Sequence, residues 1–201
     1  MTEQQENFLV PTVNYLKSGI HIGTKFRSKS MQKFIYKTRS DGLSVLNLQR
    51  IDERLRLAAK LLAQYEPKDI LVVARRENGI LSVKMFQKYT GIPTITGRYP
   101  PGMMTNTNLS TFIEPKLLLV ADAWPDRNAV MDANKIGIPV IALCDTNNQS
   151  NHVDLVVPCN NKGKKALGIL FYLLAREYLR NKGTIKPDQE LEITIEDFTE
   201  K

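Results

Sequence analysis

The sequence predicts a three-layer α/β sandwich, in which helices cover both faces of a parallel sheet. Five short apolar runs, each the length of a buried strand, occur between residues 70 and 157. Segments with the spacing of amphipathic helices precede, separate and follow these runs. Strands that alternate with helices form parallel sheets, and they are continuously apolar because both of their faces are buried. A chain of 201 residues is long enough for one such domain.

Residues 1–50 are predicted to form an N-terminal region that packs on the main domain. A short helix is predicted over residues 11–17, because its apolar side chains share one face and Gly19 follows it. A small hairpin or two short strands are predicted at residues 34–37 and 43–46, since both segments are partly apolar and an Asp-Gly pair lies between them.

Residues 51–183 are predicted to form the α/β domain. Apolar residues recur at spacings of three and four from Ile51 to Tyr65, which indicates an amphipathic helix. Gly91 and Gly137 are expected to end two later helices in the left-handed conformation that glycine adopts easily. Strands are predicted at residues 70–74, 94–96, 117–121, 140–143 and 155–157, and further helices at residues 81–89, 127–136 and 164–182.

Residues 184–201 are predicted to form an acidic C-terminal tail. Six acidic residues and one basic residue lie beyond residue 186. Leu191, Ile193 and Ile195 alternate with polar residues, as in a short strand, but a solvated tail fits the same composition.

Cysteine usage and hydropathy predict a cytoplasmic protein without membrane association. Cys144 and Cys159 show no C-x-x-C spacing, which favours a reducing cytosol over a disulfide scaffold. The chain has only two histidines besides, so no metal site is expected. The N-terminus is polar and acidic, unlike a signal peptide. The longest apolar run, residues 166–175, is much shorter than the roughly 20 residues that span a bilayer.

No recognisable catalytic or phosphate-binding motif occurs. Neither G-x-G-x-x-G nor G-x-x-x-x-G-K-[ST], the loops that hold nucleotides in α/β folds, is present. Acid–base catalysis would have to rest on carboxylates such as Asp122, Asp126 and Asp145. Asp122 and Asp145 follow predicted strands, where capping of the next loop or helix is the favoured role. We therefore expect no enzyme, no catalytic residue, no cofactor and no small-molecule substrate.

Charge is distributed unevenly along the chain. The net charge is +7; residues 1–100 carry +9 (17 basic, 8 acidic) and residues 101–201 carry −2 (11 basic, 13 acidic). We call residues 17–39 the basic segment: it contains seven basic residues and His21 but no acidic residue. Apolar residues are interleaved, so we expect an ordered segment with its charges outward. The excess of basic residues indicates that the protein binds a polyanion such as nucleic acid, although a general contribution to solubility explains the excess too.

A second basic cluster surrounds the start of the last predicted helix. The loop at residues 158–163 leads into this helix, and Lys162, Lys164 and Lys165 lie at the junction. Backbone amides and the positive end of the helix dipole attract phosphate there. An anion contact is the favoured interpretation, and a solvated lysine cluster is the alternative.

Several motifs, taken in order, resemble the small-subunit ribosomal protein S-two family, and together they cover roughly residues 11–183. Only seven residues separate Asn106 from Glu114, where the bacterial form inserts a coiled coil. The long acidic extension of the eukaryotic form is absent as well. The archaeal form is therefore expected. Asp132 departs from the glutamate usual in the family, which leaves its salt bridge in doubt. The matching motifs are YLKSGIHIG at 15–23, RSDGL at 39–43, GRYPPG at 97–102 with Thr105-Asn106, EPKLL at 114–118, GIPVIALCDTN at 137–147, PCNNKG at 158–163 and LLARE at 173–177.

The resemblance implies a flavodoxin-like fold with a five-stranded parallel sheet and no nucleotide cofactor. It implies a structural constituent of the small ribosomal subunit, with a role in translation and subunit assembly. Such a protein would lie on the solvent side between head and body, near the messenger exit, and would bind small-subunit ribosomal RNA and adjacent ribosomal proteins. No homo-oligomer is expected.

The expected contacts divide into an RNA set and a protein set. Tyr99 either stacks on an unpaired base or belongs to the core, and the core is favoured. The rival classes are an α/β enzyme and a free RNA-binding adaptor. Protein contacts are expected at Leu191, Ile193, Ile195 and Glu196. RNA contacts are expected at Lys17, His21, Lys25, Arg27, Lys29, Lys33, Lys37, Arg39, Arg98, Lys162, Lys164 and Lys165.

Overall fold

The computed structural model describes residues 8–186 and 194–199. Short 3-10 helices lie at Gln32–Phe34, Pro67–Asp69 and Glu196–Phe198. The helices are α1 (Thr12–Ser18), α2 (Leu48–Ala63), α3 (Glu77–Thr90), α4 (Arg127–Ile136) and α5 (Lys164–Asn181). The strands are β1 (Ile35–Thr38), β2 (Ser44–Leu46), β3 (Ile70–Ala74), β4 (Thr94–Thr96), β5 (Leu117–Val120), β6 (Val140–Cys144) and β7 (Leu155–Pro158).

Five strands form one parallel sheet in the order β4-β3-β5-β6-β7. Central strands β3, β5 and β6 are buried along their whole length, as their continuous apolar sequences predict. The chain runs from β3 outward to β4, then returns past β3 to β5 and continues the other way to β6 and β7, which is the strand order of flavodoxin-like folds. The predicted fold class is therefore confirmed.

Helices cover the sheet from both sides. The chain moves from β3 to β4 through α3 and from β5 to β6 through α4, in opposite directions across the sheet. Right-handed crossovers then place α3 and α4 on opposite faces. Helices α2 and α3 both pack on α5 and form one layer, whereas α4 packs on β5 and β6.

The N-terminal strands pair as the sequence predicts. β1 and β2 are antiparallel, and Ile22 forms a further bridge to Val45 of β2. Helix α2 begins at Leu48, earlier than predicted, because the Asn47 side chain accepts a hydrogen bond from the Gln49 amide at 2.9 Å and caps it. Helix α3 also begins early, at Glu77, where the first turn is polar and lacks the apolar spacing used for prediction.

The C-terminal residues 194–199 pack on α3 and α5. Phe198 is fully buried, with its ring centroid 5.8 Å from that of Tyr172, and its carbonyl accepts a hydrogen bond from Ser82 Oγ at 2.9 Å. Ile195 lies at the turn before the last 3-10 helix and contacts the core. This end of the predicted tail is therefore attached to the main domain. Leu191 and Ile193 lie outside the described residues.

Candidate nucleic-acid interface

The basic segment is attached to the loop that follows β6, at the carboxyl edge of the sheet. The amide of Thr24 donates to Thr146 Oγ1 at 2.9 Å, and the amide of Ser28 donates to the Thr146 carbonyl at 2.8 Å. Gly23 lies so close to Thr146 that an added Cβ would stand 2.4 Å from its Cγ2 atom. Backbone contacts therefore hold the segment and leave its basic side chains available.

Apolar side chains inside the basic segment give it a fixed conformation. Ile20, Met31 and Phe34 are buried in the core, whereas lysines between them, such as Lys25 and Lys29, are exposed. Burial of these apolar groups explains how a segment without an acidic residue remains ordered. The expected outward display of charge is confirmed for this segment.

Most of the twelve expected RNA-contact residues present an exposed charge. Among residues 8–186 and 194–199, two of the twelve form ion pairs: Arg39 with Asp41 at 3.3 Å, and Lys162 with Asp145 at 2.9 Å. His21 and Lys162 are partly buried. The exposed members are Lys17, Lys25, Arg27, Lys29, Lys33, Lys37, Arg39, Arg98, Lys164 and Lys165.

His21 differs from the other expected contacts in its protonation. Its side chain is partly buried, and no hydrogen-bond partner for Nδ1 occurs among the described residues. Burial lowers the pKa of His21 below its ordinary value, which a nearby backbone group of Tyr15 partly opposes. His21 is therefore neutral at pH 7 and gives a phosphate no charge.

The second basic cluster meets the basic segment at Asn160. The Asn160 amide donates to the Ile20 carbonyl at 2.8 Å, and its side-chain Nδ2 donates to the Gly19 carbonyl at 3.2 Å. Its Oδ1 atom accepts hydrogen bonds from the amides of Lys162 and Gly163, both at 3.1 Å. The amides of Lys162 and Gly163 are therefore already satisfied, and the exposed Lys164 and Lys165 supply the positive charge for a phosphate here.

Buried polar groups fill the crevice where α/β folds usually bind ligands. This crevice lies between the carboxyl ends of β3 and β5, where the strand order reverses. Arg76 donates to Asp122 Oδ2 through Nε at 2.6 Å, and Asn148 donates to Asp122 Oδ1 at 2.7 Å. Asp122 also accepts the Trp124 amide at 3.1 Å, and Asp145 accepts the Thr146 amide at 2.6 Å. Both carboxylates therefore position loops, as their sequence positions predict.

Tyr99 belongs to the core and cannot stack on a base. It is almost fully buried, its hydroxyl donates to Asp132 Oδ2 at 3.3 Å, and burial raises its pKa. Asp132 Oδ2 also accepts the Gly102 amide at 2.7 Å, and its Oδ1 lies 3.6 Å from Lys135 Nζ. The shorter carboxylate of aspartate thus still reaches a cation and holds the loop after β4.

Sequence reasoning missed a cleft beside Trp124. The loops after β5 and β6 enclose about 360 Å³, and Trp124, at its edge, is 70% exposed. Arg127, Asn147, Gln149 and His152 also line this cleft. The available signal was the single tryptophan of the chain in a short loop between a buried strand and a helix.

The described part of the chain offers no sign of a metal centre or a membrane span. Within residues 8–186 and 194–199, no group of three potential metal ligands occurs. No helix in these ranges is long and apolar enough to cross a bilayer. Cys144 and Cys159 are buried free thiols, and burial raises the pKa of Cys144 to about 12.

Comparison with known proteins links this architecture to one family. The family model described as "Ribosomal protein S2" matches residues 15–114 and 110–180. A small ribosomal subunit protein uS2 from Nanoarchaeum equitans is 47% identical over 193 residues, 96% of each chain. Proteins of the same name from Methanococcus maripaludis and Pyrobaculum calidifontis are each 46% identical, over 98% of this chain and 88% and 95% of theirs.

Proposed function

Because the chain belongs to the ribosomal protein S2 family, we propose that it binds small-subunit ribosomal RNA through the basic segment and the neighbouring lysines. The exposed charges of residues 25–33, which form no ion pair with any described residue and are held by backbone bonds to Thr146, carry this proposal. Phosphate contacts bind RNA without reading its sequence, which suits an RNA that is unique within its particle.

The family is structural and its members are not enzymes, which confirms the expectation of a non-catalytic ribosomal protein of the small subunit with a role in translation. The relatives named above are archaeal, as the lengths between motifs predicted. The ion pair between Arg76 and the buried Asp122 carboxylate in the sheet crevice supports the proposal that no nucleotide binds there. We further propose that the protein is located in the cytoplasmic ribosome, on the solvent side of the small subunit between head and body and near the messenger exit. We also propose that it has a role in subunit assembly and does not self-associate.

The three predicted regions have separate roles in this proposal. Residues 1–50 supply the basic segment for RNA, residues 51–183 form the scaffold and supply the remaining RNA contacts, and residues 184–201 contact an adjacent ribosomal protein. The acidic composition of the last region supports this division, since RNA would repel it. Leu191, Ile193, Ile195 and Glu196 remain the proposed protein contacts. The packing of Ile195 against the core leaves Leu191 and Ile193 as the residues to test.

The RNA contact is tested with the triple variant Lys25→Ala, Arg27→Ala, Lys29→Ala. Each lost phosphate contact lowers the slope of log affinity against log salt by about 0.7 to 0.9, so the slope should fall by roughly 2 to 3. The matched control removes three other exposed lysines, Lys60, Lys68 and Lys84, which lie outside the basic segment. Fluorescence anisotropy of labelled small-subunit RNA at several salt concentrations gives both slopes.

Incorporation into the subunit provides the second measurement. The triple variant should be depleted from small subunits on sucrose gradients, while the control variant sediments with them. Unchanged incorporation and an unchanged salt slope would refute the assignment of this segment. A wild-type protein found only in light fractions would indicate a free RNA-binding adaptor.

The protein contact requires substitutions rather than removal of residues 187–201, because removal would also delete the buried Phe198. The variant Leu191→Ser, Ile193→Ser should weaken association with a neighbouring ribosomal protein and leave RNA affinity unchanged. Loss of RNA affinity in this variant, with normal thermal stability, would contradict the division between an RNA region and a protein region.

A further inference from the structure

We propose that the cleft beside Trp124 binds one unpaired nucleotide of the RNA, with the base stacked on the indole ring. The inference rests on the proposed RNA-binding function and adds a site that the basic segment does not include. Proteins recognise single-stranded RNA by stacking splayed bases on aromatic side chains and by hydrogen bonds to the base edges.

The exposure of Trp124 is the first observation. Its side chain is 70% exposed, although indole burial is strongly favourable in a folded domain. Asp122 Oδ1 accepts the Trp124 backbone amide at 3.1 Å, and Asp122 is itself bound by Arg76, so the loop that carries the ring is fixed. An exposed aromatic ring on a loop with a fixed backbone offers a surface for a planar ligand.

The size and lining of the cleft are the second observation. Its volume of about 360 Å³ lies in the range of small-molecule sites. Exposed Gln149 and Asn151 offer both donors and acceptors, as the edge of a base requires. Exposed Arg127 supplies a positive charge for the phosphate, and none of the described residues that line the cleft is a carboxylate.

The position of the cleft next to the basic segment is the third observation. Thr146 binds the backbone of the basic segment at Thr24 and Ser28, and the next residue, Asn147, lines the cleft. Lys162 Nζ donates to Asn147 Oδ1 at 3.1 Å and pairs with Asp145 Oδ2 at 2.9 Å, so this boundary carries a neutralised ion pair. An RNA strand with phosphates on the basic segment can therefore continue into the cleft.

A segment of another protein is the competing occupant of this surface. A protein contact centred on tryptophan usually surrounds the ring with other apolar groups in a dry core. Ala123, Val130 and Met131 form an apolar part of the lining. Side-chain amides, His152 and Arg127 form a polar rim around it, and this combination of an apolar floor and a polar rim with a cation matches a nucleotide better.

The experiment uses the intrinsic fluorescence of Trp124, the single tryptophan of the chain. Titration of the full-length protein with small-subunit RNA should quench this fluorescence and protect it from acrylamide. In anisotropy measurements with labelled RNA, Trp124→Ala should lower affinity roughly 5- to 140-fold, the range that corresponds to loss of one base–aromatic stack. Trp124→Phe should retain most of the affinity, since a phenyl ring still stacks. Leu57→Ala, at another exposed apolar side chain on α2, is the control and should bind normally.

Each outcome separates this inference from the proposed function. RNA binding with unchanged tryptophan fluorescence and a normal affinity of Trp124→Ala would overturn the inference and leave the role of the basic segment intact. A fluorescence change only on addition of a neighbouring ribosomal protein would overturn it in favour of a protein contact. Absence of RNA binding by the wild-type protein would overturn both.

Discussion

The Thr24 amide donates a 2.9 Å hydrogen bond to Oγ1 of Thr146, a residue 122 positions away in the chain. The side chains of the two threonines also lie 3.0 Å apart at their hydroxyl groups. This contact joins the basic segment to the carboxyl edge of the parallel sheet. The position of the surface that we assign to RNA therefore depends on the loop after β6. Residues 146–149 of this loop carry no charge.

Gly23→Ala should detach the basic segment without changing any charge. The new methyl group would stand 2.4 Å from Thr146 Cγ2 and 3.1 Å from the Ser44 carbonyl, so the segment must shift. We expect a loss of about 1–3 kcal/mol in the free energy of unfolding, as for other overpacked sites. RNA affinity should fall as well, and urea unfolding and RNA anisotropy measure the two effects.

A second substitution provides the control for Gly23→Ala. Thr146→Ser removes the closest atom, Cγ2, and keeps the hydroxyl group that accepts the Thr24 bond. The double variant should therefore recover part of the lost stability and RNA affinity. If Gly23→Ala alone binds RNA normally, the position of the segment does not depend on this contact.

Phe198→Ala should destabilise the protein by about 3–5 kcal/mol, the usual cost of removing a large buried ring. Phe198 is fully buried between α3 and α5, with Tyr89 and Tyr172 as ring neighbours. Phe26→Ala is the matched control, because Phe26 is 79% exposed and should change stability by less than about 0.5 kcal/mol. Equal stabilities of the two variants in urea would show that residues 194–199 do not pack on the helices in solution.

Asp126 should make stability decrease as the pH rises from about 4 to about 7. Burial raises the pKa of Asp126 to about 7 from an ordinary value of 3.8, and the Asp122 carboxylate contributes to the shift. Between these values the folded protein retains a proton that the unfolded chain has lost, so folding is favoured at the acidic end of the window. Above pH 7 this contribution, on the order of 4 kcal/mol, is absent.

Asp126→Asn tests this dependence, because the amide does not titrate. The variant should show a flatter stability profile between pH 4 and 7 and should be more stable than the wild type at pH 8. Asp41→Asn, at an exposed carboxylate, is the control and should leave the profile nearly unchanged. Parallel pH profiles of wild type and Asp126→Asn in urea unfolding would rule out titration of Asp126 in this range.

Local sequence predicted the sheet more accurately than the helix starts. The strands Ile70–Ala74 and Thr94–Thr96 and the helix Arg127–Ile136 coincide with their predicted bounds, and Gly91 and Gly137 adopt the expected positive φ. Apolar runs identify buried strands because both faces of the sheet exclude water. Helix starts depend on individual capping contacts such as Asn47 to Gln49, which apolar spacing does not reveal.

The basic segment could also be predicted from the sequence, because its charge follows directly from its residue types. Which of the charges in the basic segment and the second basic cluster remain available was not evident. Lys162 is partly neutralised by Asp145, 17 residues earlier, and His21 loses its charge through burial. The exposed ring of Trp124 is likewise visible only once the loops after β5 and β6 are placed side by side.

Composition and spacing alone determined the fold class, the strands and the sign of the charge, because each follows from hydrophobic burial or from side-chain chemistry along a short stretch. Tertiary structure decided the attachment of the basic segment to Thr146, the packing of Phe198 on α3 and α5, and the cleft beside Trp124. These features join residues that are far apart in the chain. They depend on how the sheet and its helices bring the chain's distant segments together, and no local pattern contains that information.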